Sequence, residues 1–352
     1  MTSAAASRTG SGTAGRDAGP GGEPIDARLE SHRRELTGYC YRMLGSTFDA
    51  EDAVQDAMVR AWRAIDRFDG RSSLRTWLYR IATNVCLDML AGRQRRAMPI
   101  DLGPASPPIQ ESLGVPLAEA SWIEPVPDGR VIPESSDPAE VAVARESIRL
   151  AFVSALQHLP ARQRAVLILR EVLRWKADEV AELLETTVAS VNSALQRARA
   201  TMAASDRSGT QVDPMDDDQR ALLARYVEAF ERYDIESLVS LLHEDAVASM
   251  PPFPLWLHGS VDIGRWHLGP GSGCRGSRLV PVTASGLPAF GAFKPSTSGD
   301  RLEAFGLQVL EVSAGRITSI TYFLDTSIFP VFGLPLVLEQ DLRQPGEVEQ
   351  PT

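Results

Sequence analysis

Ser190, Asn192, Ser193, Gln196, Arg197 and Arg199 share one stretch with Val188, Val191, Leu195 and Ala198, which fall at the intervening three- and four-residue positions. On a helix that spacing separates a polar face from an apolar one. Small hydroxyl and amide side chains near a helix N-terminus can reach the edges of base pairs, and guanidinium groups can neutralise phosphates. Ser190, Ser193, Gln196 and Arg197 are therefore the expected base readers, with Arg174, Lys176 and Arg199 on phosphates. Asn192 could belong to either face. A three-helix bundle with a solvated, arginine-bearing face would show the same pattern, so the residue types leave both readings open. A second set of reactive types lies downstream. His243, Asp245, His258 and Asp325 are general acid or base candidates by type, or simply satisfied structural residues.

The elements that must position these residues can be read from periodicity. Leu159-Pro160 opens a helix carrying Val166, Leu167, Leu169 and Val172 inward, and a short helix runs from Lys176 to Leu184. Thr186-Thr187 then caps the helix that bears the polar face. Helix, tight turn and a second polar-faced helix make a helix-turn-helix. Upstream, apolar residues recur at three and four from Val54 to Ile65 and from Leu74 to Met89. Asp49 is the expected N-cap of the first of these helices, and Asp69-Gly70 the break before the second. Downstream of 215 the character changes. A helix with Leu222, Leu223, Tyr226, Val227 and Phe230 on one face and another around Leu238–Leu242 precede strand-like stretches at 277–284, 302–312 and 317–324. Ala314-Gly315 is the expected hairpin turn between the last two.

The whole chain has 352 residues and a net charge of −10, which by itself argues against a nucleic-acid partner. The charge is unevenly spread. Residues 28–97 carry +4 and 145–204 carry +3, while 98–144 carry −7 and 205–352 carry −9. The expected organisation is a disordered tail (1–25), a helical module (26–97), an acidic Pro-rich linker (98–140), the helix-turn-helix module (141–204), a short linker (205–214), an α+β module (215–340) and a tail (341–352). Three sparse cysteines, Cys40, Cys86 and Cys274, cannot frame a disulfide scaffold or a zinc site and favour a reducing, cytoplasmic setting. The longest apolar run, Ile328 to Leu338, is short and broken by Pro330 and Pro335, so no membrane span is expected. No metal or cofactor is expected either. Asp216-Asp217-Asp218 sits where a helix begins and compensates its dipole.

The stretches Asp49–Trp62 and Phe68–Asn84 closely resemble the second domain of extracytoplasmic-function sigma factors of bacterial RNA polymerase. Leu159–Leu167 and Val188–Arg199 resemble the fourth domain of the same family, in the same order. One departure is Glu185, where many relatives place Gly before the recognition helix. The resemblance implies an alternative sigma factor that binds core polymerase, at the β-prime clamp and the β flap, and initiates transcription at promoter DNA. Asp52, Gln55, Asp56 and Arg60 would face the clamp. Arg75, Tyr79, Arg80, Thr83 and Asn84 would capture the −10 element, where aromatic and guanidinium planes stack on unpaired bases. Arg93, Arg95 and Arg96 would hold backbone phosphates, and the polar face at 190–199 would read the −35 element. The acidic linker would thread the polymerase cleft, either as a mimic of nucleic-acid charge or as a soluble spacer. Rival readings are a helix-turn-helix regulator that never replaces sigma, and a DNA-binding module fused to a small-molecule enzyme.

Residues 215–340 resemble the SnoaL-like branch of the nuclear-transport-factor-two fold, a curved sheet around a conical pocket. The expected fold class is therefore multidomain: two all-α sigma domains and a C-terminal α+β cone. Trp256, His258, Tyr322 and Asp325 would line that pocket around a possible small-molecule ligand. The expected role is regulatory rather than catalytic, so the chain as a whole is expected not to be an enzyme.

Overall fold

The computed structural model describes residues 24–118, 121–132, 137–205 and 215–339. The predicted N-terminal tail, apart from residues 24 and 25, lies outside the described residues, as do nearly all of the 205–214 linker and the C-terminal tail.

The first module packs α1 (Ile25–Glu30), α2 (Arg33–Leu44), α3 (Thr47–Ala64) and α4 (Leu74–Leu90). Gly45, at φ +71°, ends α2 in the left-handed conformation that glycine adopts without strain. Ser46, not Asp49, caps α3: its hydroxyl accepts from the Asp49 amide. Asp49 stands one turn inside the helix, where its carboxylate binds Arg93 and Arg96. Ser73 caps α4 after the Asp69-Gly70 break.

The segment after α4 is Pro-rich and acidic, but it is not an extended spacer. Short 3-10 turns form at Pro99–Asp101 and Gln110–Leu113, and α5 at Asp128–Val131. Trp122, Ile123, Val126 and Val131 are buried. Burying those four apolar side chains stabilises docking by roughly 1.5–3 kcal/mol each, more than an acidic composition alone would lead one to expect.

The second module comprises α6 (Pro138–Glu146), α7 (Leu150–Gln157), α8 (Ala161–Leu167) continuing as a π-turn through Val172, α9 (Ala177–Leu183) and α10 (Val188–Ser205). It packs directly on the first. Arg164 reaches across to the Met43 carbonyl and to Gln157 Oε1, while Arg42 donates to Ser147 Oγ at 2.7 Å. Burial pushes both guanidinium groups down to about 10.

The third module begins with α11 (Asp217–Arg232), capped by Asp216, and α12 (Ile235–Ser240). Strands β1 (Leu242–Ser249), β2 (Trp256–His258), β3 (Arg278–Ala284), β4 (Leu287–Pro295), β5 (Arg301–Ser313), β6 (Arg316–Phe323) and β7 (Val337–Glu339) follow, with α13 (Ser260–Leu268) after β2. The sheet order is β2-β1-β6-β5-β4-β3, with β7 on β5, and only β1 and β6 run parallel. Ala314 and Gly315 take φ of +50° and +69°, the turn expected from their sequence. Ser285-Gly286 makes a second such turn between β3 and β4.

Alternation along the strands divides the core. Phe290, Ala292, Leu310 and Tyr322 pack with Tyr226, Phe230 and Trp266 inside the cone. Leu287, Ala289, Phe293, Leu307, Val309 and Phe323 face the other way and join one continuous apolar cluster with both helical modules. The Ser285-Gly286 hairpin tip carries this junction. Ser285 N donates to the Val126 carbonyl at 2.8 Å, Gly286 N to Asp128 Oδ1 at 2.8 Å, and Tyr41 Oη lies 3.4 Å from Ser285 Oγ.

Candidate nucleic-acid interface

The helix-turn-helix is built as its sequence indicates. Thr187 Oγ1 accepts from the Ser190 amide at 3.1 Å, capping α10. Between α9 and α10, Glu185 adopts φ +51°. The departure from Gly is therefore accommodated in the left-handed region itself, at a cost of roughly 1–2 kcal/mol for a residue with a Cβ. Ser190, Asn192, Ser193, Gln196, Arg197 and Arg199 are all exposed, so Asn192 sits with the polar face and not the apolar one. Val191, Leu195 and Ala198 are buried, while Val188, expected on the core side, is 43% exposed. Arg174, at φ +56°, and Lys176 are exposed beside α9. Arg199 pairs with Glu171 at 2.5 Å, a surface contact that competes only weakly with a phosphate.

On α4 the expected face divides. Tyr79 and Thr83 are not available to bases: they are 0% and 1% exposed. The Tyr79 ring lies 5.2 Å from Tyr39 and 5.0 Å from Trp175 of the second module, and Thr83 meets the Tyr39 hydroxyl at 2.8 Å. Arg75 is half-buried, stacked over Tyr79 and Trp175 and paired with Glu35 at 2.7 Å. Arg80 reaches Glu182 of α9 at 3.5 Å. Only Asn84 is freely exposed. Tyr79 and Thr83 turn toward Tyr39 in the first module's own core, while Trp175 and Glu182 of the second module cover Arg75 and Arg80.

The three arginines after α4 also differ. Arg93 and Arg95 are exposed, bound to Asp49 and His158. Arg96 is buried, donating to the Trp122 carbonyl at 2.6 Å, to Asp49 at 2.8 Å and to Glu124 at 3.4 Å. It is a structural strut here, not a phosphate contact. Glu124, which went unnoticed as anything but linker charge, accepts from the Ser46 hydroxyl at 2.7 Å and the Thr47 amide at 3.1 Å. The apolar residues flanking it, Trp122, Ile123 and Val126, were the available signal.

The outer face of α3 is open. Asp52 and Gln55 are exposed, and Asp56 is half-exposed and pairs with Arg60 at 2.8 Å. Val59 and Trp62, 40% and 46% exposed, add apolar area to that face.

In the C-terminal cone the expected pocket residues separate. Tyr322 is inside, with its hydroxyl 3.3 Å from His267 Nε2. His267, absent from the sequence candidates because it lies inside a helix between Trp266 and Leu268, is 2% exposed, and burial lowers its pKa to about 4. His258 is exposed on the edge strand β2, and Trp256 donates to the Gly103 carbonyl at 2.9 Å. Asp325 caps the turn after β6 through the Ser327 amide. His243 and Asp245 lie on β1, half-exposed and exposed. The four sequence candidates for acid–base chemistry therefore share no site. No group of three or more metal-ligating side chains occurs among the described residues, and no helix is long and apolar enough to cross a membrane.

A helix-turn-helix with an exposed polar face, a first helical module bearing arginines, and a C-terminal α+β module are the architecture of a modular DNA-binding transcription protein. Residues 29–96 match the Sigma-70 region 2 family and residues 149–202 the Sigma-70, region 4 family. The chain is 46% identical over 330 residues to the ECF RNA polymerase sigma factor SigG of Mycobacterium tuberculosis, covering 90% of this chain and 87% of that one. It is 31% identical over 171 residues to the ECF RNA polymerase sigma factor SigW of Bacillus subtilis, covering 49% and 82%. The crystal structure of the Mycobacterium tuberculosis extracytoplasmic function sigma factor SigJ superposes with a TM-score of 0.57 at 23% identity, over 88% of this chain and 99% of that one, and shares the fold. The chain belongs to the extracytoplasmic-function family of RNA polymerase sigma factors.

Proposed function

We propose that this sigma factor docks on the polymerase clamp through the outer face of α3, reads the −35 element with α10 and captures the −10 element with α4. Its C-terminal cone would regulate that activity by clamping the two helical modules together. The observation that carries the regulatory part is the covering of α4. Tyr79 and Arg75 pack against Trp175 of the second module, and the linker that joins the two modules is tied to the cone by the 285–286 tip. The names of the two promoter elements place them about 25 base pairs apart, roughly 80 Å along B-form DNA. Side chains 5.0 Å apart across the two modules must separate before both elements are engaged.

Transcription in vitro with sigma-free core polymerase tests the proposal. The full chain directs promoter-specific transcripts. The Asp128→Ala and Ser285→Ala double variant, which loosens the tip and alters no residue of the proposed polymerase or DNA faces, changes their yield severalfold. Absence of specific transcripts from both proteins overturns the sigma role assigned to these faces. Equal yields overturn the clamp.

A further inference from the structure

Where the linker meets the cone lies a cavity of about 300 Å³, at the small end of the range for ligand sites. Its walls are mostly apolar, with Leu117 and Trp122 from the linker and Phe323 and Ile328 from the cone. Two carboxylates, Glu124 and Asp325, complete it. It is not the interior of the cone. Phe323 and Tyr322 are adjacent on β6 and point to opposite faces of the sheet. Phe323 belongs to the cluster shared with the helical modules, whereas Tyr322 packs inside with Tyr226 and Phe230.

Three features of this cavity specify an occupant. Trp122 is 3% exposed, and its indole Nε1–H finds no hydrogen-bond partner. Buried donors are almost always satisfied, so one left orphaned beside a cavity needs an acceptor from elsewhere. Asp325 spends Oδ1 on the Ser327 amide, and its other oxygen is bonded to no described residue. It can accept from a hydroxyl or amide, and its charge repels an anion. Glu124 is committed to Arg96, Ser46 and Thr47, so it offers no charge for a cation to neutralise.

We propose that this junction binds a neutral, mainly apolar molecule of about one ring, carrying a carbonyl-type acceptor for Trp122 Nε1–H and a hydroxyl or amide donor for Asp325. Binding rests on the cavity alone. Its consequence for transcription rests on the clamp proposed above, because Trp122 lies two residues from Glu124, which ties the linker to the start of α3. Occupancy that shifts Trp122 shifts that tie.

The test uses the full chain labelled with ¹⁵N-tryptophan and 4-hydroxyacetophenone as the probe. Of the six indole resonances expected from the six tryptophans, the one missing in Trp122→Phe shifts saturably at millimolar probe. The anion 4-hydroxybenzoate and the unfunctionalised ethylbenzene bind at least severalfold more weakly. Trp122→Phe, which keeps the ring, weakens probe affinity about three- to tenfold when followed through the remaining indole signals, the worth of one buried neutral hydrogen bond. Ile328→Trp, which fills the cavity from the other wall, abolishes binding. A Trp122 resonance that does not move, equal affinity for the anion, or unchanged affinity in both variants overturns the site. Saturable binding that leaves transcript yield unchanged upholds the site and overturns its link to the clamp.

Discussion

Glu124 carries the sharpest lesson at the scale of single residues. In the sequence it is one of eight acidic residues in a stretch with a single arginine, and nothing local distinguishes it. In the structure it is 7% exposed and holds Arg96, Ser46 and Thr47. Its partners lie 28 and more residues away, a distance at which spacing rules are silent. The same blindness made Arg96 look like a phosphate contact. Replacing Glu124 by Ala takes one carboxylate from Arg96, which keeps Asp49 and the Trp122 carbonyl, and strips two donors of their acceptor, so it costs about 3 kcal/mol of stability; urea denaturation measures it. His267 gives a prediction in pH. Its folded pKa, about 4, lies below the ordinary histidine value of about 6.5. The unfolded chain therefore binds a proton the native one refuses, and stability is lost as pH falls from about 6.5 toward about 4. The full loss is on the order of 3 kcal/mol, and thermal melts of His267→Gln decline less steeply across that window than those of the native chain.

At the scale of elements, the longer helices were legible because they carry an apolar stripe and, in α3, α4 and α11, a capping side chain. The recognition helix is the plainest case: Thr187, Val191, Leu195 and Ala198 specify its start and its buried face, and six polar residues remain exposed. The α4 face was misjudged for a physical reason. Periodicity reports which side of a helix meets its own module, and says nothing of a second module placed on the opposite side. Trp175 and Glu182 did that to Arg75 and Arg80, whereas Tyr79 and Thr83 are held by Tyr39 of their own module. Strand β4 also escaped notice, because Leu287–Pro295 contains Gly291 and two prolines that dilute the strand signal. On α3 Asp52, Gln55 and Arg60 are exposed as expected, whereas Trp62, expected on the apolar stripe, is 46% exposed beside them. Ala at Asp52, Gln55 and Asp56 together is expected to weaken binding to core polymerase at least tenfold while leaving the melting temperature within a few degrees, since surface substitutions of this kind change stability by about 0.5 kcal/mol each or less. Equilibrium binding to core polymerase and a parallel melt check both halves.

The whole molecule looks different from the sum of its modules. Segment charges of +4 and +3 on the helical modules, against −7 and −9 elsewhere, already set acidic parts against basic ones. What charge could not reveal is that the three modules share a core. A single apolar cluster runs from Leu36 through Ile123 to Phe293, so linker residues 122–126 form a buried layer between the modules. Fluorophores at Asn84 and Asn192, both exposed, report the separation of the two helical modules. They should move apart by tens of ångströms when core polymerase and promoter DNA are added, as energy transfer would report. Unchanged transfer in a transcribing complex would count against the closed form as the resting state.

The hairpin tip that completes this closure comes late in the chain. Tyr41 and Ser285 are 244 positions apart. At synthesis rates of about 5–20 residues per second, the ribosome needs roughly 10–50 s after making the first before it makes the second. If the cone restrains the helical modules as proposed above, each new molecule passes through a period in which α3 has emerged and that restraint does not yet exist. A restraint of that kind would act only once the C-terminal module is made, and the order of synthesis would set how long every copy stays exempt.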